Sequence, residues 1–153
     1  MAPQPRTRAY DVNAVIGVLN EILAMELATV VYYTHYSFMV YGHARIPVVD
    51  WMRSQATESL THAQGAGDMI LRLEGKPEMG ISSLPTTHHN TIDEILQEAV
   101  AREADGVDLY RKLHAMIKDK SIVLEEYASR MVAAESLHVS EMRMMLRKST
   151  PKG

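Results

Sequence analysis

The chain has 153 residues, 46% of them apolar, with one Phe, one Trp, eleven Met and no Cys. That is the length of one domain and enough to bury a core. The lack of cysteine excludes a disulfide scaffold, thiolate metal sites and a cysteine nucleophile, and a net charge of −3 gives no electrostatic case for nucleic acid.

Read in chain order, residues 1–11 form an N-terminal tail with the short basic tip "PRTR". They lack the basic-then-apolar-then-small order of a signal peptide. Asp11 suits the N-cap of a first helix from about Val12 to Tyr41, stopped by Gly42. Glu21 and Glu26 interrupt its apolar run, so a membrane span is not expected and a cytoplasmic protein is. Pro47 fits the first turn of a second helix, which reaches Leu73 and ends at "EGKP". Residues 75–90, "GKPEMGISSLPTTHHN", read as a loop. Thr91 and Glu94 make a capping box for a third helix that ends near Lys118. Ser121 caps a fourth that runs to about Leu146, and "RKSTPKG" at 147–153 is a C-terminal tail.

The predicted architecture is all-α, a four-helix bundle over residues 12–146. Each helix carries an inward stripe at 3–4 spacing, such as Leu19, Leu23, Glu26, Val30 and Tyr33 on the first. Short links make helices one and two, and three and four, antiparallel pairs. The middle loop spans up to ~50 Å at its extended length, against ~40 Å for a 26-residue helix. A long crossover between helices two and three therefore fits.

Every stripe is broken near its middle by a polar residue. Glu26 sits among Leu19, Ile22, Leu23, Val30 and Tyr33, and Glu103 lies between Ala99 and Gly106. Glu135 and His138 take consecutive inner positions on the fourth helix, and His62 takes one on the second. Unpaired carboxylates in a bundle core cost several kcal/mol, so they need compensation. At 1.5 Å per residue, all five fall about 17–24 Å from a helix end, in one slab. A lone core His is usually a hydrogen-bonded structural residue, and a lone inward Glu is often an edge residue. Five at one height on four helices read instead as a metal-binding set. Oxygen and imidazole ligation without sulfur suits iron or manganese, with zinc a further occupant.

These residues resemble those of the bacterioferritins and the wider ferritin-like di-iron carboxylate family. "ILAMELATVVYY" resembles the first-helix motif, with Glu26 as ligand. "THAQGAGDMILRLEGKP" resembles the end of the second, with His62 as ligand. "AREADG" and "AAESLH" resemble the third and fourth, giving Glu103, Glu135 and His138. The resemblance implies a ferroxidase that oxidises Fe(II) with oxygen or peroxide for iron storage or detoxification. It implies Glu135 as a bridge, Glu26 and Glu103 as terminal ligands, and a homo-oligomer between a dimer and a cage. Tyr33 matches a tyrosine beside the family's site and is a candidate electron donor, although core packing explains it equally well.

Three positions depart from the pattern. Ser59 stands where a second bridging carboxylate is expected, three residues before His62. Leu60 stands at the place of the haem-ligating methionine, which argues against haem. Only the short tail follows the fourth helix, too little for the family's fifth. Glu58 is rotated ~100° from Ser59, which leaves three options. It reaches the metal as a displaced ligand, it leaves water at the Ser59 position, or it faces an inner shell surface.

The alternative function is a degraded-site bundle that binds one metal or none and serves as an assembly or partner-binding subunit. A DNA-protecting miniature ferritin is disfavoured without a long basic tail, and a rubrerythrin-like peroxidase without cysteines. His88-His89 reads as a solvated loop pair. His35, His43 and His114 have no partner at ligand spacing, and the methionines of "EMRMMLRK" read as core or subunit contact.

Overall fold

A computed structural model describes residues 9–147; the rest of both expected tails, 1–8 and 148–153, lies outside the described residues. Four helices are present in the order α1 (Val12–Met39), α2 (Arg45–Arg72), α3 (Ile92–Ile117) and α4 (Ile122–Met145). Among the described residues there is no strand. The architecture is the all-α four-helix bundle expected from the stripes.

The helix ends follow from their capping chemistry. Asp11 Oδ1 accepts a 3.0 Å bond from the Ala14 amide at the start of α1. Thr91 and Glu94 close a reciprocal capping box at the start of α3. Ser121 Oγ accepts from the Leu124 amide at α4. Pro47 lies in the first turn of α2, where its missing N–H costs no intrahelical bond. At the other end of α2, Glu74 adopts φ +62° and the Gly75 amide turns back to the Ile70 carbonyl. A Cβ on Gly75 would come within 2.7 Å of Ile16 Cδ1, so this exit packs directly on α1.

The residues after α2 climb back along α1 as a crossover. Asn20 Oδ1 accepts from the Glu78 amide at 2.9 Å, the Ser82 amide donates to the Ala24 carbonyl at 3.0 Å, and the Tyr36 hydroxyl donates to the Thr87 carbonyl at 3.0 Å. Partners 20, 24 and 36 are met in that order by residues 78, 82 and 87. The loop thus traverses α1 and delivers α3 parallel to α2.

The core is divided by height. One apolar cluster contains Leu19, Ile70, Leu113, Ile117, Leu124 and Met131; the other contains Tyr36, Val40, Met52, Ile95, Val139 and Met142. Buried Glu26, Glu103 and Glu135 fall at heights between the two sets. The large apolar side chains at each end supply most of the stabilisation that holds this polar layer in place.

One described helix, α1, is long and apolar enough to cross a membrane by length and composition, in spite of Glu21 and Glu26. Half of its most apolar window is buried inside the bundle, and its Glu26 is part of the interior. Those are the features of a core helix. Of the methionines of "EMRMMLRK", Met142 is fully buried in the core, while Met144 and Met145 are exposed.

Candidate metal centre

Each helix contributes to the polar layer. Glu26 comes from α1, His62 from α2, Glu103 from α3, and Glu135 and His138 from α4. They form two groups whose potential ligand atoms all lie within 4.8 Å of one another: Glu26, His62 and Glu135, then Glu103, Glu135 and His138. Glu135 belongs to both. His62 Nδ1 lies 2.9 Å from Glu135 Oε1 and 3.5 Å from Glu26 Oε1, and His138 Nδ1 lies 3.9 Å from Glu135 Oε2. His138 Nε2 is buried without a hydrogen-bond partner. Ligands about 2.0–2.2 Å from one ion stand roughly 3–3.5 Å apart, so both groups are close to the spacing a metal imposes.

The two terminal carboxylates are held in matching fashion. Tyr33 on α1 donates a 2.8 Å hydrogen bond to Glu103 Oε1 on α3. Tyr110 on α3 donates one of 2.8 Å to Glu26 Oε1 on α1. All four side chains are buried. No pattern within α3 alone marks the role of Tyr110. Its signal is a repeat: Tyr33 follows Glu26 by seven residues, and Tyr110 follows Glu103 by the same interval. Trp51 packs edge-on against both Tyr33 and His138, and closes the layer on the α2 side.

The electrostatics follow from burial and pairing. Burial pushes Glu26 upward, partly offset by its bond with His62. Burial and the nearby Glu135 push Glu103 up to about 7, against the bond from Tyr33. Burial alone would lower His62, but its bonds to Glu135 and Glu26 more than reverse this and raise it. Burial would raise Glu135, yet bonds from His138 and His62 pull it well below the usual carboxylate range. The layer therefore holds its charge as a Glu135 carboxylate between imidazoles, with protons retained on its neighbours. A divalent cation would replace those protons.

Ser59 is buried on α2, one helical turn before His62, with no carboxylate of its own. Glu58 is outside both groups. Its side chain is 49% exposed, and its Oε1 lies 3.9 Å from His62 Nε2, the nitrogen that faces away from Glu26 and Glu135. Leu60 is 43% exposed. Of the loop histidines, His88 is exposed as expected, whereas His89 Nε2 is 2.9 Å from Glu98 Oε2, with both side chains about one-fifth exposed (19% and 20%). The reason is the crossover, which lays residue 89 against α3.

Residues 16–150 match the sequence profile of the Ferritin family, the ferritin-like domain. The chain belongs to the ferritin-like family. Among curated proteins none matches it. Several solved structures are similar to this ferritin-like chain. A ferritin-like, diiron-carboxylate protein from Bacillus anthracis str. Ames is 25% identical, with a TM-score of 0.83 over 91% of this chain and 99% of that one. A dodecameric thioferritin, the bacterioferritin-related protein of Bacteroides fragilis, is 23% identical, with a TM-score of 0.83 over 90% of this chain and 86% of that one. The bacterioferritin of Desulfovibrio desulfuricans, described with a diiron site in different catalytic states, is 24% identical, with a TM-score of 0.76 over 88% and 79%. The last two likenesses bear on the fold. The candidate metal group of this chain thus stands on a ferritin-like diiron-carboxylate fold.

Proposed function

We propose that this ferritin-like chain binds Fe(II) in the polar layer and oxidises it with dioxygen or peroxide, for iron storage or detoxification. The observation that supports this reading is Glu135, whose two oxygens face both donor groups. Glu135 bridges a pair of ions, Glu26 and Glu103 are terminal ligands, and His62 and His138 each give one ring nitrogen. Iron is the substrate: two Fe(II) supply two electrons, and dioxygen with two protons leaves as hydrogen peroxide, or peroxide with two protons as water. Zinc or manganese would suit the same oxygen and nitrogen donors. Where one Fe(II) alone meets peroxide, Tyr33 would give the second electron that, with two protons, takes peroxide to water, and its own phenolic proton would pass to Glu103 along their hydrogen bond. No haem is assigned, since Leu60 carries no ligand atom.

The centre is asymmetric in this reading. Ser59 leaves the second bridging position to water. Glu58 orients His62 through Nε2 while Nδ1 faces the metal, which is the place of a partner behind a ligating imidazole. The functional unit is the bundle of residues 12–146, flanked by tails, in a cytoplasmic homo-oligomer. Exposed Val31, Phe38, Tyr41 and Ile46 support association between copies. No nucleic-acid partner is assigned.

Anaerobic loading followed by oxygen tests the reading. Fe(II) should give a rapid rise in near-ultraviolet absorbance that Glu135→Ala and His62→Ala both suppress. Oxidation unchanged in both variants would sink it. Fewer than two ions per chain in the wild type would favour the degraded bundle, an assembly or partner-binding subunit.

A further inference from the structure

We propose a second, surface metal site for a divalent late first-row transition ion such as Ni(II), Cu(II) or Zn(II), formed by His35 of α1 and His88 of the crossover. The two rings come together only in the fold, with centroids 6.4 Å apart and planes at 50°. A metal–nitrogen bond of about 2.0–2.1 Å, plus about 1.1 Å from nitrogen to ring centre, puts each centroid roughly 3.2 Å from a shared ion. Two such imidazoles stand roughly 5 Å apart at a tetrahedral angle and 6.4 Å apart when opposed. The observed spacing is thus the open limit of a two-histidine chelate, and side-chain rotation closes it. Both rings are exposed, so water completes the coordination.

The residues on either side of His88 are tied down. The Thr87 carbonyl accepts the Tyr36 hydroxyl at 3.0 Å, and His89 pairs with Glu98 at 2.9 Å while stacking on Tyr36. Residue 88 is therefore fixed to α1 on one side and to α3 on the other. His35, on a continuous helix, packs edge-on against the same Tyr36 ring. Two ligands held by rigid elements lose little freedom on binding, which favours a chelate.

A cavity of about 200 Å3, lined by Tyr32, His35, Tyr36, Leu84 and His88 among others, leaves room for the ion and its waters. The site shares no residue with the central layer, so it stands whether or not that layer oxidises iron. A bound ion would pin the crossover to α1.

Calorimetric titration of the full chain with Ni(II) in a non-coordinating buffer tests the site. His35→Ala and His88→Ala should each weaken one binding event about a hundredfold, as expected when a two-point attachment becomes a single one. Glu135→Gln should leave that event intact and alter only binding at the centre. Amide exchange over residues 84–90 should slow on Ni(II) addition in the wild type and in Glu135→Gln, but in neither histidine variant. Because both rings are exposed, the alanine variants keep the fold, and circular dichroism checks this. Isotherms identical in the wild type and either histidine variant, or no nickel-dependent slowing, would overturn the proposal.

Discussion

Tyr110 on α3 donates a 2.8 Å hydrogen bond to Glu26 on α1, the mirror of the bond that Tyr33 on α1 gives to Glu103 on α3. Two antiparallel helices thus each provide a carboxylate and, seven residues later, the phenol that secures the other helix's carboxylate. A seven-residue step returns to nearly the same helix face, so each helix presents both groups inward. The reciprocity makes α1 and α3 halves of one frame. It also fixes the height of the metal layer, since sliding either helix by one turn breaks both bonds.

Loss of either phenol should be felt at a distance from the reacting atoms. Tyr110→Phe removes a bond to a buried carboxylate and should cost about 1.5–3 kcal/mol of stability, read from chemical denaturation. The lost bond had held the Glu26 pKa down, so its removal raises that pKa further. Metal affinity should then fall more at pH 6 than at pH 8. A uniform fall across that range would show that Tyr110 only packs.

Glu58 and Glu135 should separate by what each variant loses. Glu58 faces the outer nitrogen of His62, and Glu58→Gln should weaken metal binding about 10–100-fold with the number of ions per chain unchanged. Glu135→Ala removes the side chain shared by both donor groups and should lower the stoichiometry itself. Equilibrium dialysis with Fe(II) under anaerobic conditions, or with Zn(II), reads both quantities. A stoichiometric loss in Glu58→Gln would make Glu58 a displaced ligand instead.

The stripes, caps and central polar residues were legible in the sequence because each depends on local spacing. Asp11, Thr91 and Ser121 cap their helices where their side chains predict, and Glu26, Glu103 and Glu135 are buried as the periodicity requires. What escaped depended on pairing across helices. Nothing in the sequence around Tyr110 announces that its hydroxyl meets Glu26 on another helix. His35 and His88 carry no mutual signal in one dimension, and His89 looked solvated because nothing in the loop announces Glu98. Residues in contact over a long sequence separation leave no periodic trace, so the crossover had to be seen to be read.

Restoring a carboxylate at Ser59 should reverse sign with metal. Ser59 is buried, and Ser59→Glu in the metal-free protein adds an acid beside three others. That should lower stability by a few kcal/mol, through desolvation and like-charge repulsion. With two divalent ions per chain the same group completes a bridge, and the variant should bind them more tightly than the wild type. Thermal denaturation with and without Zn(II) checks both halves: a lower Tm than wild type without metal, and a larger rise on adding it. An equal metal-induced rise in the two proteins would place residue 59 outside the centre.

The pH dependence follows from where the protons sit. Glu103, raised to about 7 by burial and by Glu135, is less costly when protonated, so it destabilises the metal-free fold progressively from its unfolded pKa near 4.5 up to about 7. His62, raised by Glu135 and Glu26 against burial, stabilises fully below its unfolded pKa near 6.5 and loses that contribution as pH climbs through its folded value. Glu135, lowered by the two imidazoles against burial, stabilises above its unfolded pKa and loses that contribution only in strong acid. The first two trends run the same way, so at this centre the metal-free protein should be less stable at pH 8 than at pH 6. Metal ions displace those protons, so their stabilising effect should be larger at pH 8. Denaturation midpoints at both pH values, with and without Zn(II), measure this. Calorimetry at pH 6.5 in buffers of different ionisation enthalpy should also show net proton release on binding. Proton uptake there would contradict the assignment of Glu103 and His62 as ligands.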